Sequence, residues 1–403
     1  MMILGKSNQT KGRGLYCLFH FQQGQYNTND MEIQDTILSD KKRNGKERPW
    51  KERKDQSLNV SEVLQWGDAY EKVAQGYAKT FKEARENYVQ YRELIGWLGQ
   101  KSEKMYDCGS TLEFTIDAEG NKHLFRAWFC KDRLCPMCNW RRSIKLREQM
   151  LKILQAMKDR NIQGRPIFAT FTMQNVKGED ISKSFSDFAE AFHRLMKYKE
   201  VKAVVLGAVR SSEITYNKKR NDYNTHIHCL IWVTPDYFAG RNYISQEKWT
   251  ALWKRAAKLD YTPVVNVKTV KPETPTEADP TGYIKAVLEI TKYTAKPTTV
   301  PCLNGMTHNM TDKQKLEAGE RISALERGMF KKRLISFFGI FKELHKELHL
   351  DDTEDGDLIG ADEAAEGSAV EAARFEYDYA RHDYYQTGHG NIKNGDTHYE
   401  EDD

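Results

Sequence analysis

Apolar residues first fall into a regular pattern near residue 61. From Ser61 to about Leu98, Val63, Leu64, Trp66, Tyr70, Val73, Tyr77, Phe81, Ala84, Tyr88, Tyr91 and Leu94 recur mostly three or four apart, as on one helical face. Ser61 with Glu62 suits the start of this helix, and Gly96 and Gly99 suit its end. A basic helix is expected from about Trp140 to Arg160. Pro166–Gln174 then alternates as a strand, with Phe168, Thr170 and Thr172 on one face and Ala169, Phe171 and Met173 on the other. Ser182–Lys197 is an amphipathic helix. Val201–Thr215 and Thr225–Thr234 read as strands joined by a polar hairpin at Asn217–Asn224. Gln246–Lys258 reads as a helix and Val264–Val270 as a strand. A linker rich in Pro, Glu and Thr, Pro272–Pro280, leads into a helix at Gly282–Ala295, and Thr311–Leu348 reads as largely helical and basic.

The two ends lack such periodicity. Residues 1–59 are polar, with a basic stretch at Lys41–Lys54, and are expected to form a flexible arm that Trp50 could anchor. Residues 351–403 carry 17 acidic and 3 basic side chains and are expected to be disordered, as a solubilising or regulatory tail. The rest of the chain holds 59 basic and 41 acidic residues, a balance that suits a polyanionic partner or merely a solvated surface. No stretch of about 18 apolar residues occurs, so no membrane partner is expected. The seven cysteines are an odd number with four clustered, which suits a metal site in a reducing cytoplasm better than a disulfide framework.

Those four, Cys108, Cys130, Cys135 and Cys138, are spaced C-x21-C-x4-C-x2-C. Soft thiolates so placed can close a tetrahedral Zn2+ site, although Cys108 is the most distant and the cysteines could instead be ordinary buried groups. Such a knob would present Arg133, Arg141 and Arg142 to phosphate.

His226-Ile227-His228 lies in the strand THIHCLIWV, where residues two apart share a face. Both imidazoles could grip one cation while Ile227, Cys229, Ile231 and Val233 are buried opposite. Such pairs are common without a metal, but Glu213 lies in the preceding strand, and antiparallel pairing can bring its carboxylate beside the rings. Two nitrogens and one carboxylate leave room for water and a phosphate oxygen on Mn2+ or Mg2+. Further on, YIKAVLEITKYTAKP places Glu289 and Tyr293 four apart, with Lys292 and Lys296 alongside. Taken alone this is an ordinary amphipathic helix. In combination, a tyrosine can attack phosphorus, lysines can offset the developing charge, and a carboxylate one turn away can activate water.

FATFTMQNV at Phe168–Val176, HIHCLIWV at His226–Val233 and LEITKYTAKP at Leu288–Pro297 occur in the order found in one family. Together they resemble the single-tyrosine rolling-circle replication initiators of small Gram-positive plasmids, within the HUH endonuclease superfamily. FCKDRLCPMCNWRR resembles that family's Cys-rich segment, and RLISFFGIFKELHKEL its C-terminal block, so the resemblance spans about residues 35–350. It implies an α+β fold, a five-stranded antiparallel sheet flanked by helices with the histidines on a central strand. It implies Tyr293 as nicking nucleophile, Glu289 as the group that activates water at termination, and the double-strand origin of a plasmid as substrate. Host helicase and polymerase are the implied partners, and a homodimer is open. Cys229 departs from the aliphatic residue expected there.

The expected organisation is a basic arm (1–59), a helical segment (60–107), a Cys-rich module with its basic helix (108–160), the nicking core (161–300), a basic helical DNA-binding extension (301–350) and an acidic tail (351–403). A mobilisation relaxase or single-strand transposase of the same superfamily is the nearest rival. Relaxases put the nucleophile before the histidines, the reverse of the order here. A non-catalytic zinc DNA-binding protein would need neither His226 nor Tyr293.

Overall fold

The computed structural model describes residues 36–39, 41, 45, 48–86, 96–240, 242–276, 279, 281–292, 299–302, 305, 307–359, 371–393 and 396–399. Most of the basic arm, and the Tyr293 and Lys296 positions, lie outside these residues.

Two antiparallel five-stranded sheets organise the described chain. Ten helices are numbered along it: α1 (Trp50–Ala74), α2 (Phe81–Glu86), α3 (Trp97–Asp107), α4 (Pro136–Asp159), α5 (Ile181–Lys197), α6 (Lys199–Lys202), α7 (Gln246–Ala257), α8 (Ile284–Ile290), α9 (Asp312–Met329) and α10 (Ile340–Glu347). One sheet is built from β3 (Arg165–Thr172), β4 (Val205–Asn217), β5 (Asp222–Val233), β6 (Val265–Thr269) and β7 (Ile335–Gly339), in the order β6-β3-β5-β4-β7. The strand with the two histidines, β5, is therefore central, as the α+β reading expected.

The period-two alternation of these strands decides what each face meets. Ala169, Phe171, Ile227, Cys229 and Ile231 are fully buried against α5 and α7, where Phe188, Trp249 and Trp253 complete the layer. On the opposite face Val209, Leu230 and Trp232 pack against α4, α8 and α10 through Leu146, Val287, Ile290 and Phe341. Further along that same face, toward the hairpin, come His228, His226 and Glu213.

The fifth strand was not legible. Ile335–Gly339 lies inside the stretch read as helical, and it completes the core from outside the 161–300 boundary by pairing with β4. Five residues between two helices are too few for a period to stand out, and only their docking on β4 makes them extended.

The second sheet consists of β1 (Thr111–Ile116), β2 (Lys122–Ala127), β8 (Glu371–Asp378), β9 (Asp383–Lys393) and β10 (Asp396–Tyr399), in the order β10-β9-β8-β1-β2. Glu371–Asp378, Asp383–Lys393 and Asp396–Tyr399 of the acidic tail, expected to be disordered, thus form strands. Ala373, Phe375 and Tyr377 alternate with Arg374, Glu376 and Asp378, and the apolar set is buried against β1 and α1. The net charge of the tail hid a half-buried strand of normal pattern.

The arm also begins its structure early. α1 starts at Trp50, eleven residues before Ser61, because Trp50, Lys54 and Ser57 are buried against the Cys-rich module. Two of those three are polar, so a search for apolar spacing passes over them. Farther on, α1 crosses α9 closely: a β-carbon on Gly319 would meet the Trp66 carbonyl oxygen at 2.5 Å, so glycine is required there.

Residues 351–359 tie the module to the core, and they consume two of the arginines assigned to phosphate. Arg141 is fully buried beside the Trp50 and Trp140 rings and donates to the carbonyls of Leu358 (3.0 Å) and Ile359 (3.1 Å). Arg142 is 7% exposed and donates to the carbonyls of Glu354 and Asp132 and to the Asn139 side chain. These two guanidiniums hold a chain segment in place and are not presented to DNA. Arg141→Ala should lower stability by about 2–4 kcal/mol in urea denaturation, since the Leu358 and Ile359 carbonyls lose a charged donor at once. An unchanged unfolding midpoint would contradict this structural role.

Candidate functional site

The four clustered cysteines come from three local structures. Cys108 ends α3, Cys130 follows β2, and Cys135 and Cys138 open α4, where Pro136 sets the first helical residue. The β1–β2 hairpin accounts for the long gap after Cys108 by returning the chain to its starting point. The Sγ atoms of Cys108 and Cys138 are 3.5 Å apart, those of Cys130 and Cys138 3.6 Å, and those of Cys108 and Cys135 3.6 Å. Disulfides need about 2.05 Å. A tetrahedron with metal–sulfur bonds of about 2.3 Å has edges near 3.8 Å, so the spacing fits a thiolate-bound metal.

Surrounding groups favour thiolate at Cys135, while burial pushes the Cys108 and Cys130 thiols up. The Cys130 N–H points at the Cys108 sulfur (3.4 Å), and the Ser57 hydroxyl lies 3.5 Å from that of Cys135. Burial opposes ionisation of Cys135, but hydrogen bonds from Cys108, Cys130, Cys138 and Ser57 hold it well below the usual thiol range. The buried Lys54 ammonium donates to the carbonyls of Tyr106 (2.5 Å) and Cys108 (3.1 Å) and to Ser110 Oγ (2.9 Å). Burial pulls that lysine down to about 8, while the nearby thiolates act to keep it charged.

The second cluster forms where β4 and β5 pair. Glu213 lies directly opposite His226, and Ser211 opposite His228, so the Glu213, His226 and His228 side chains emerge on one face. Glu213 Oε2 is 3.0 Å from His226 Nε2 and 2.7 Å from His228 Nε2. The side chains of Glu213, His226 and His228 are 6, 10 and 23% exposed, so the cluster is sheltered but reachable from one side.

The remaining ring nitrogens are held from behind. His226 Nδ1 faces the Asn224 carbonyl at 3.3 Å, and His228 Nδ1 the Thr170 hydroxyl at 3.0 Å. A carbonyl only accepts, so His226 donates from Nδ1 to Asn224 and turns Nε2 toward the Glu213 oxygen. The donor set, two imidazoles and a carboxylate with open positions, therefore fits a divalent metal.

The structure brings together the same side chains that the sequence places in each cluster. Their supports, Thr170, the Asn224 carbonyl and Lys54, were missed. Thr170 could have been found, since it lies on the strand face opposite His228. Cys229 is buried among Ile227 and Ile231, and burial pushes its thiol up, so it behaves as an apolar filler.

The helix preceding Tyr293 is shorter than expected. α8 ends at Ile290, and the described chain then turns at Thr291 and Lys292. Glu289 is exposed and pairs with Lys292. Asp279, another residue the sequence reading passed over, positions the start of α8: its carboxylate accepts from the N–H groups of Gly282 (2.9 Å), Tyr283 (3.3 Å) and Ile284 (2.8 Å). Burial would raise Asp279, yet these bonds and the Thr281 hydroxyl hold it below the usual carboxylate range. Val287 and Ile290 seat α8 on Leu230 and Trp232, so the helix lies on the same sheet face as the histidines. Of the arginines near the Cys cluster, only Arg133 keeps partial exposure, donating to the Lys332 carbonyl and lying 3.8 Å from Glu354.

Among known families, the replication-protein profile matches residues 121–385, which include three of the four clustered cysteines, the histidine strand and the Glu289–Tyr293 segment. The chain belongs to this replication-protein family. It is 34% identical over 347 residues to "Protein rep" of Streptococcus pneumoniae serotype 2, covering 85% of this chain and 93% of that one. It is 41% identical over 285 residues to "Protein rep" of a Bacillus sp (68% and 90%), and 37% identical over 339 residues to "Protein rep" of Bacillus amyloliquefaciens (81% and 90%). No solved structure matches. Among the described residues, no helix is long and apolar enough to cross a membrane.

Elemental analysis of the purified replication protein should find a metal that Cys135→Ser removes, with a fall of roughly 10 °C in the thermal midpoint. Equal metal content in both proteins would remove the Cys cluster as a metal site.

Proposed function

We propose that this replication protein initiates rolling-circle replication of a plasmid by nicking one strand at the double-strand origin. The observation that carries the proposal is the convergence of Glu213, His226 and His228 on the sheet face where α8 delivers the chain toward Tyr293. Mn2+ or Mg2+ held by these three residues would polarise the scissile phosphate, and Zn2+ would be the structural metal of the four cysteines.

In this reading the phenol oxygen of Tyr293 attacks phosphorus. A new P–O bond forms, the bond to the 3′ oxygen breaks, and the phenol proton passes to solvent. The 5′ phosphate stays on Tyr293 and the released 3′ hydroxyl primes a polymerase. Lys292 and Lys296 offset charge on the phosphoryl oxygens. Glu289, which faces solvent beside Lys292, takes the proton from a water that later cleaves the phosphotyrosine. The relative order of histidines and tyrosine supports initiation over relaxase activity.

Supercoiled origin plasmid with Mn2+ provides the test. Wild-type protein should yield nicked circles linked to Tyr293. Tyr293→Phe should lose nicking by at least about a thousandfold while retaining DNA affinity, whereas binding by wild type with no nick would leave only the zinc DNA-binding alternative. Glu289→Ala should nick at a near-normal rate yet accumulate unterminated product, and clean termination by that variant would refute its role.

A further inference from the structure

Where α3 meets the end of α9, an aromatic pair stands at the surface beside the Cys cluster. The Trp97 and Phe330 rings meet edge to face, 5.2 Å apart at 80°, and Phe330 is 51% exposed. They open on a cleft of about 250 Å³ whose rim carries Lys104, Lys131, Arg133 and Lys331. Lys331 lies over the Phe330 ring at 5.2 Å, and Lys101 over Trp97 at 4.4 Å.

The floor is rigid. Lys101 bridges Asp132 (2.7 Å) and Glu326, both nearly fully buried, and so pins α3, the Cys-rich module and α9 to one another. These two carboxylates share one lysine beneath the cleft, and four cations on the rim outnumber the remaining negative charge. Lys131 and Lys331 both adopt left-handed backbone, φ 57° and 55°, a conformation that a side chain with a β-carbon rarely takes. Lys131 also donates to the Asp355 carbonyl at 3.0 Å, which leaves its charge intact.

We infer that this cleft is a second DNA contact, taking an unpaired stretch of the origin strand with one base stacked on Phe330 and flanking phosphates on the rim cations. The inference rests on the reading of this chain as a DNA-acting protein but uses none of the Glu213–His226–His228 site. A half-exposed ring offers a face only to an unpaired base, while the lysines track its backbone, the pairing expected of a single-strand platform. The chain leaving Phe330 runs directly into β7, the neighbour of the strand that carries Glu213. A strand held in the cleft is thus anchored to the nicking sheet.

Fluorescence anisotropy of the full-length protein with an oligothymidylate of about 20 nucleotides, and with a duplex of equal length, tests the assignment. Phe330→Ala should weaken oligothymidylate binding about tenfold, and Phe330→Tyr should restore it, while duplex affinity stays within about twofold. Lys104→Glu with Lys331→Glu should lower the salt slope on the single strand by about 1.4. The lysine variant should unfold at the wild-type temperature, because both side chains lie at the surface, and so should Phe330→Tyr, which keeps the ring packed on Trp97. Unchanged oligothymidylate affinity in these variants, or equal losses on both DNAs, overturns the inference alone. Wild-type protein that binds neither DNA overturns the DNA-acting reading as well.

Discussion

The register between β4 and β5 is the constraint on which the rest depends. Side chains in a strand alternate, so a slip of one residue would turn Glu213 away from His226 and send both histidines into the core packed by α5 and α7. The register is held by burial on both faces. Ile227, Cys229 and Ile231 must face one helical layer while Leu230 and Trp232 face the other. Hydrophobic packing at one end of the sheet thereby aims three polar groups at the other.

The Cys-rich module acts as a clamp. Its four sulfurs draw together α3, the β1–β2 hairpin and α4, and its arginines and Lys145 bind the 351–359 segment, Lys145 through Asp351 Oδ2 (2.7 Å) and the Asp357 carbonyl (2.7 Å). α4 then reaches across to the histidine-bearing face of the core sheet, where its Leu146, Met150 and Ile153 are buried beside α8. A metal bound by the cysteines would therefore stiffen, through one helix, the layer that positions the segment leading to Tyr293.

Charge is divided along the same lines. Much of the basic excess near the cysteines is spent inside the protein, where guanidiniums satisfy carbonyls that would otherwise be buried without donors. Lys104, Lys131 and Lys331 remain at the surface and line the cleft with Trp97 and Phe330, whereas Arg141 and Arg142 are buried.

Where chemistry depends on residues close in sequence, the chain spells it out. The His-x-His spacing, the Cys-x2-Cys pair, the alternation of β3 and the amphipathic faces of α5 and α7 are local properties, and a strand or helix converts each directly into a face. Long-range partners decided the remainder. β7 is a strand because β4 lies beside it, α1 begins at Trp50 because polar Lys54 and Ser57 find buried partners, and Glu371–Asp378 of the acidic tail forms a strand because Phe375 and Tyr377 meet β1. Arg141 and Arg142 look like phosphate ligands until residues more than 200 positions away supply their acceptors. Burial of a polar group depends on what folds over it, and that information resides in tertiary contacts between segments far apart along the chain.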